Sequence, residues 1–210
     1  MRKMFGMMTL GVLTYGVAVA DESTYQVEGG KLATITVKST TDVEDIVTTT
    51  HAVTGAIAVD HKAQTGSVSL IVQADTLDTG IPMRNDHLQG EAWLDTKKHA
   101  EITFKSTQVK YLKGDEYEIK GDFTMKGVTK AVVAKATVVF KDDEKAKEIL
   151  GGPAVKATAS FSIKLSDFGI SLPLIGVKVS DSLDISMTLF GVDKPEAKEK
   201  GPKMPKGSGK

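Results

Sequence analysis

From residue 65 to 190 apolar and polar side chains alternate, and this period of two constrains the chain more than any other feature. Successive side chains on a strand point to opposite faces, so the pattern specifies strands with one dry and one wet face. Val68, Leu70, Val72 and Ala74 share one face, as do Tyr117, Ile119, Gly121 and Phe123. Val155, Ala157, Ala159, Phe161, Ile163 and Leu165 repeat the scheme, followed by Leu183, Ile185, Met187 and Leu189. Lys113-Gly114-Asp115, Lys126-Gly127 and Gly151-Gly152-Pro153 punctuate these runs. Connections this short join antiparallel neighbours. The pattern predicts eight strands, near 25–39, 52–60, 66–74, 101–112, 116–126, 129–141, 154–166 and 178–191. Long antiparallel strands with one wet face either close into a barrel, which removes edge strands, or pack as two sheets. The expected class is all-β.

Two stretches break the period. Asp142–Leu150 (DDEKAKEIL) is charged and predicts a short surface helix over about 142–150. The stretch MRNDHLQGEAWLDTKKHAEITFKST, Met83–Thr107, is the other. It predicts a polar helix over about 84–96, with Asn85 or Asp86 as its cap. A polar helix inserted between two barrel strands suits a lip or plug over a barrel mouth.

The ends of the chain differ from the body. Arg2 and Lys3, the apolar run 4–17 and Ala18-Val19-Ala20 read as a secretory signal peptide over 1–20. A single domain over 21–192 and a Lys-, Pro- and Gly-rich tail over 193–210 follow; the tail has too little apolar content to order itself. The expected location is the periplasm. The chain has no cysteine, so disulfides, zinc thiolates and a cysteine nucleophile are excluded. Residues 21–192 hold 19 basic and 24 acidic side chains, an excess of acid that argues against nucleic acid as a partner. No stretch after residue 20 is long and apolar enough to predict a membrane span.

Catalytic and metal motifs are missing. There is no G-x-S-x-G, H-E-x-x-H or P-loop, and His51, His61, His87 and His99 have no metal-ligand spacing. Asp86 and His87 are adjacent, so on a helix they point about 100° apart and cannot aim at one ion. A triad of Ser106 and His87 with an aspartate has no support from spacing. The expectation is a protein without catalysis, metal or cofactor. The inward aromatic face (Phe104, Tyr117, Phe123, Phe140, Phe161) fits either a close-packed core or a lined cavity, since eight strands are just wide enough for one small ligand. Small inward residues such as Ala74, Gly121, Ala134, Ala157 and Ala159 leave room, but they also suit a flattened barrel.

Three motifs resemble a known family. TLDTGIPMRNDHLQGEAWLDTKKHAEITFKST (76–107) is similar to the run S/T-x-x-T-G, R-[ND]-x-H-[LM], short helix and I-x-F-x-S of the YceI-like, polyisoprenoid-binding proteins. Gly121–Lys130 (GDFTMKGVTK) resembles the family's G-D-L-T-[LM]-x-G-V-T-[KR], and Leu165–Ile170 (LSDFGI) its R-S-D-[FY]-G-I. Leu165 stands where the family often has Arg. The His-Ser pair usual after the first Tyr is replaced beyond Glu28, and Lys98-His99-Ala100 stands where Tyr-Pro is usual. The resemblance implies an extended, lipocalin-like eight-stranded barrel, usually periplasmic. Such a barrel holds a long isoprenoid chain, such as that of a quinone or polyprenyl phosphate, and often pairs as a homodimer. It implies ligand contacts from Arg84 and His87, as donors to a head group, and from the motif residues Leu88, Phe104, Ser106, Phe123 and Phe168; Trp93 of the lip and Phe161 of the inward aromatic face complete the expected set. The leading expectation is a binding protein for an isoprenoid or other long-chain apolar lipid. The alternatives are a ligand-free structural or stress-response barrel acting through its surface, and a hydrolase using Ser106 or His87.

Overall fold

The computed structural model describes residues 22–30, 32–60 and 63–193. The expected segment 1–20 and all of the expected tail 193–210 except Asp193 lie outside the described residues. Ten strands form one antiparallel sheet: β1 Glu22–Val27, β2 Thr34–Thr40, β3 Asp45–Thr50, β4 Val53–Asp60, β5 Thr65–Gln73, β6 Glu101–Lys113, β7 Glu116–Met125, β8 Val128–Lys141, β9 Ala154–Lys164 and β10 Ser182–Val192. The order β1-β4-β5-β6-β7-β8-β9-β10 returns to its start because β1 also pairs with β10. The barrel is therefore closed and has eight positions around its wall. β1 and β2 share one position: Val27 pairs with Gly191 and Thr34 with Thr188 on the same strand, β10. β3 and β4 share the next, pairing β2 and β1 respectively.

The alternation predicts the inward residues well, and the strand ends less well. The expected strand 25–39 is one barrel position broken at 28–33. Opposite the break, at 51–52, His51 takes over the backbone groups: its carbonyl accepts the Gly30 N–H at 2.9 Å and its Nδ1 lies 2.7 Å from the Ala33 carbonyl. β3 was not expected, because DIVTTT lacks a strong apolar face. β10 begins at Ser182 rather than 178. The preceding residues form a 3-10 turn, Leu165–Phe168, and a turn-rich loop to Asp181.

Both helices exist with shifted bounds. α2 spans Glu144–Leu150, with the Asp143 carboxylate accepting the Ala146 N–H at 3.0 Å. α1 spans Pro82–Gln89, not 84–96. Pro82 sits in the first turn, where a missing N–H costs nothing, and extended backbone at Gly90 ends the helix. Neither Asn85 nor Asp86 caps it; the N-cap is Ile81, without a side-chain bond. Turns continue to about residue 98.

Below the middle of the barrel Ile57, Ile119, Ala134, Ala136, Val138 and Leu189, each under a tenth exposed, close in around a space of only about 50 Å³. Above the middle β3 diverges from β5, and the connection 74–100 bridges the gap. Its Asp78 exchanges both backbone hydrogen bonds with Thr49 of β3, at 2.8 and 2.9 Å.

Candidate functional site: an apolar cavity under a polar lip

The upper barrel encloses a cavity of about 560 Å³. Leu70, Phe104, Phe123, Phe161, Ile185 and Met187 belong to its wall, all on the inward face that alternation predicts. Leu88, Trp93 and Leu94 cover it from the connection after β5. Ile81, Met83 and Leu174 also line it while remaining 46%, 69% and 37% exposed, so they mark the rim. Glu44, Arg84, His87 and Lys178 supply charged or titratable groups to the lining.

The lip is built by local bonds that the motif residues make. Asn85 Oδ1 accepts both the Thr79 N–H at 2.8 Å and the Thr79 hydroxyl at 2.7 Å, and its Nδ2 donates to the Asp78 carboxylate at 2.7 Å. The Asn85 bond, joined by the Gly80 N–H, holds the Asp78 carboxyl below the usual carboxylate range. Beyond α1, Lys98 reaches Asp95 at 3.1 Å and Glu91 at 3.3 Å, and these partners raise its pKa. The β7–β8 hairpin latches this turn: Lys126 Nζ donates to the carbonyls of Glu91 at 3.0 Å and Ala92 at 3.4 Å. Lys126 and Gly127 both have positive φ, the two-residue turn that suits the twist of a hairpin. Gly127 is also required by contact, since a Cβ there would lie 2.8 Å from the His99 ring.

The opposite side of the mouth is tied as firmly. Ser166 donates its N–H and hydroxyl to the Asp181 carboxylate, both at 2.8 Å, and Ser39 Oγ accepts the Ser180 N–H at 2.8 Å. These bonds fasten the loop between Phe168 and β10 across the end of β2. The Thr41 hydroxyl accepts the Val43 and Glu44 N–H groups, which fixes the β2–β3 turn. Glu44 on that turn meets Arg84 Nη2 of α1 at 2.5 Å.

Seven of the nine expected ligand residues line the cavity: Arg84, His87, Leu88, Trp93, Phe104, Phe123 and Phe161. Two do not. Ser106 lies outside because its hydroxyl accepts the Val68 N–H at 2.8 Å where β5 parts from β6, beside the irregularity in the β6–β7 register. Phe168 is 2% exposed and packs edge-on against Phe123, ring centres 5.7 Å apart, behind the cavity wall. Sequence reasoning missed Glu44, Lys126 and Lys178. Glu44 stands on a turn that no periodicity reads, Lys178 headed a predicted strand but stands on a turn, and Lys126 showed only as half of a Lys-Gly turn. Among the described residues no group of three or more His, Asp or Glu could hold a metal ion. No described helix is long and apolar enough to cross a membrane.

Protein YceI of Escherichia coli O157:H7 is 34% identical over 125 residues, which cover 60% of this chain and 62% of that protein. A UPF0312 protein of Photorhabdus laumondii matches to the same extent. The chain thus spans somewhat less than two thirds of these relatives. Among solved structures, BcnA of Burkholderia cenocepacia shares the fold with a TM-score of 0.66 at 21% identity, covering 75% of this chain and 95% of that one. A polyisoprenoid binding domain from Saccharophagus degradans aligns with a TM-score of 0.62 at 12% identity, covering 81% and 98%. The YceI-like domain family model matches residues 4–190. With the three motifs, the closed barrel and this match in agreement, the chain belongs to the YceI-like domain family.

Proposed function

We propose that this protein is an exported, non-catalytic binding protein that holds one isoprenoid-type lipid in its barrel, for carriage or storage in the periplasm. The apolar cavity of about 560 Å³ under the lip carries this reading. Burying a prenyl chain there gains about 0.8 kcal/mol per CH₂, so binding needs few polar contacts. The likeness to a polyisoprenoid binding domain supports the ligand class. The signal-like segment at 1–20 supports export. The exposed apolar side chains at the rim suit exchange of a lipid with a membrane surface.

The head group lies at the rim in this reading. Arg84 gives Nη2 to Glu44 and keeps further donors, while among the described residues no hydrogen bond or ion pair engages the side chains of His87 and Lys178. A neutral acceptor such as a quinone oxygen fits this rim without breaking the Arg84–Glu44 pair. A phosphate would lean on Lys178 and on the remaining donors of Arg84.

The test is native mass spectrometry of the full chain exported by a bacterial host and purified without detergent, followed by lipid extraction. A stoichiometric prenyl lipid is the expected result. A chain that carries none, and takes up neither quinones nor polyprenyl phosphates added back, would overturn the proposal in favour of a barrel acting through its surface.

A further inference from the structure

The cavity has a floor. A second, smaller space of about 50 Å³ lies deeper in the barrel, bounded by Ile57, Ile119, Ala136 and Leu189 among others. Four side chains face both spaces: Leu70, Phe104, Phe161 and Met187. The two rings dominate this partition. Phe104 and Phe161 stack at 6.4 Å with 29° between their planes. Phe123 braces Phe161 edge-on at 5.5 Å, and buried Phe168 braces Phe123 in turn. Phe104 reaches its position only because residue 121 is glycine: a Cβ there would lie 2.5 Å from Phe104 Cζ. Phe104 and Phe123 pair directly across β6 and β7, so the floor is set by strand register rather than by a mobile loop.

We propose that the Phe104–Phe161 partition sets the length of prenyl chain that the barrel accepts, at about four isoprene units. The inference rests on the lipid-binding reading above. A cavity of 150 Å³ accepts one benzene, or roughly 25 Å³ per carbon. At that density 560 Å³ takes roughly twenty carbons. A longer chain meets the two rings and leaves its excess at the rim, in water. Removing one ring frees room for about six carbons and joins the lower space, which extends the pocket by about one to two units. Phe104 and Phe161 are then specificity-determining residues for chain length.

The test measures binding of geraniol, farnesol, geranylgeraniol and longer all-trans prenyl alcohols to the purified full chain. The reporter is the fluorescence of Trp93, the one tryptophan in the sequence, which lines the cavity. Affinity should rise at least about tenfold per unit up to geranylgeraniol, then stay flat. In Phe104→Ala and Phe161→Ala the plateau should begin one to two units later. Phe104→Leu, a milder change, should move it the same way by less. The wild-type series is a test even if a variant fails to fold. An affinity that climbs without a break to the longest alcohol, or a break that a folded variant leaves in place, overturns the length limit and leaves the lipid-binding reading standing. A chain that binds no prenyl alcohol of any length overturns both.

Discussion

Replacing Asn85 with alanine asks what holds the lip in place. By sequence Asn85 or Asp86 is the helix cap; in the structure Asn85 sits inside α1 and ties Asp78 and Thr79 to the helix. The substitution removes two partly buried bonds to Thr79, at 2.8 and 2.7 Å. Each is worth about 0.5–1.5 kcal/mol net, so the lip loses about 1–3 kcal/mol. The third bond, to the fully exposed Asp78 carboxylate, changes a pKa instead. If the lip opens independently of the barrel, exchange of the Thr79 amide should accelerate by about 5- to 150-fold. If it opens with the barrel, Tm should fall by about 2–4 °C per kcal/mol. In either case the Asp78 carboxyl, followed by NMR, should titrate at a higher pH than in the wild type. The reasoning fails if Thr79 exchange, Tm and Asp78 titration all stay put. It also fails if the amides that open are those of the first turn of α1, as loss of a cap would require.

The remaining predictions concern the wall, the rim and acid. In Gly121→Ala the new Cβ would lie 2.5 Å from Phe104 Cζ and 2.7 Å from the Lys105 carbonyl oxygen, so ring and backbone must both give way. Overpacking of this kind costs about 1–3 kcal/mol, and an unchanged Tm in calorimetry would contradict it. Glu44→Gln breaks a pair whose side chains are 38% and 30% exposed, so stability should change by about 0–1 kcal/mol. It also frees the Arg84 guanidinium, so binding of farnesyl phosphate should strengthen relative to farnesol; a constant ratio would count against Arg84 as a head-group donor. Asp78 is held below its ordinary pKa by Asn85 and Gly80. Its contribution to the lip is therefore full above the unfolded carboxylate value, about 4, and fades as pH falls through the lower folded value. Thr79 protection, corrected for intrinsic rate, should be flat from about pH 7 to 5 and fall only below about 4; a loss in the upper range would refute the assignment.

The motifs that single out the family were legible as sequence, but their work was not. The run 76–107 resembles the family's motif, and the resemblance implies ligand contacts from it. In the structure Asp78, Thr79 and Asn85 spend their polar groups on one another, and Ser166 spends its own on Asp181. Lys126, one of two turn residues in the pattern, turns out to latch the lip through carbonyls some 34 residues away in the chain. Bonds of that separation leave no periodic trace. The inner face of every long strand was readable because burial there repeats at the period of the backbone itself. β3 escaped because Thr48, Thr49 and Thr50 replace apolar residues beside the rim, where the wall no longer needs a continuous dry face.

Whether the barrel was hollow or packed could not be read from alternation, because alternation reports a face and not a depth. The same inward set contains Ala134, Ala136 and Ala157 as well as Phe104, Phe123 and Phe161. Register separates them. Ala136 pairs with Ala159 and with Tyr117, low in the barrel, where small side chains let the walls approach and Ile57, Ile119 and Leu189 narrow what remains to about 50 Å³. Phe104 pairs with Leu70 and with Phe123, three inward positions above Tyr117 on β7, at the end of the barrel where β3 pairs only with β2. Small residues thus close the lower half, and large ones line the upper half without filling it. The size order along the axis, small below and aromatic at the boundary, places the cavity at the lip end and gives it a bottom. A filled barrel and a hollow one were offered as alternatives by the sequence; this chain sets a hollow half of about 560 Å³ on a nearly closed one of about 50 Å³, with Phe104 and Phe161 between them.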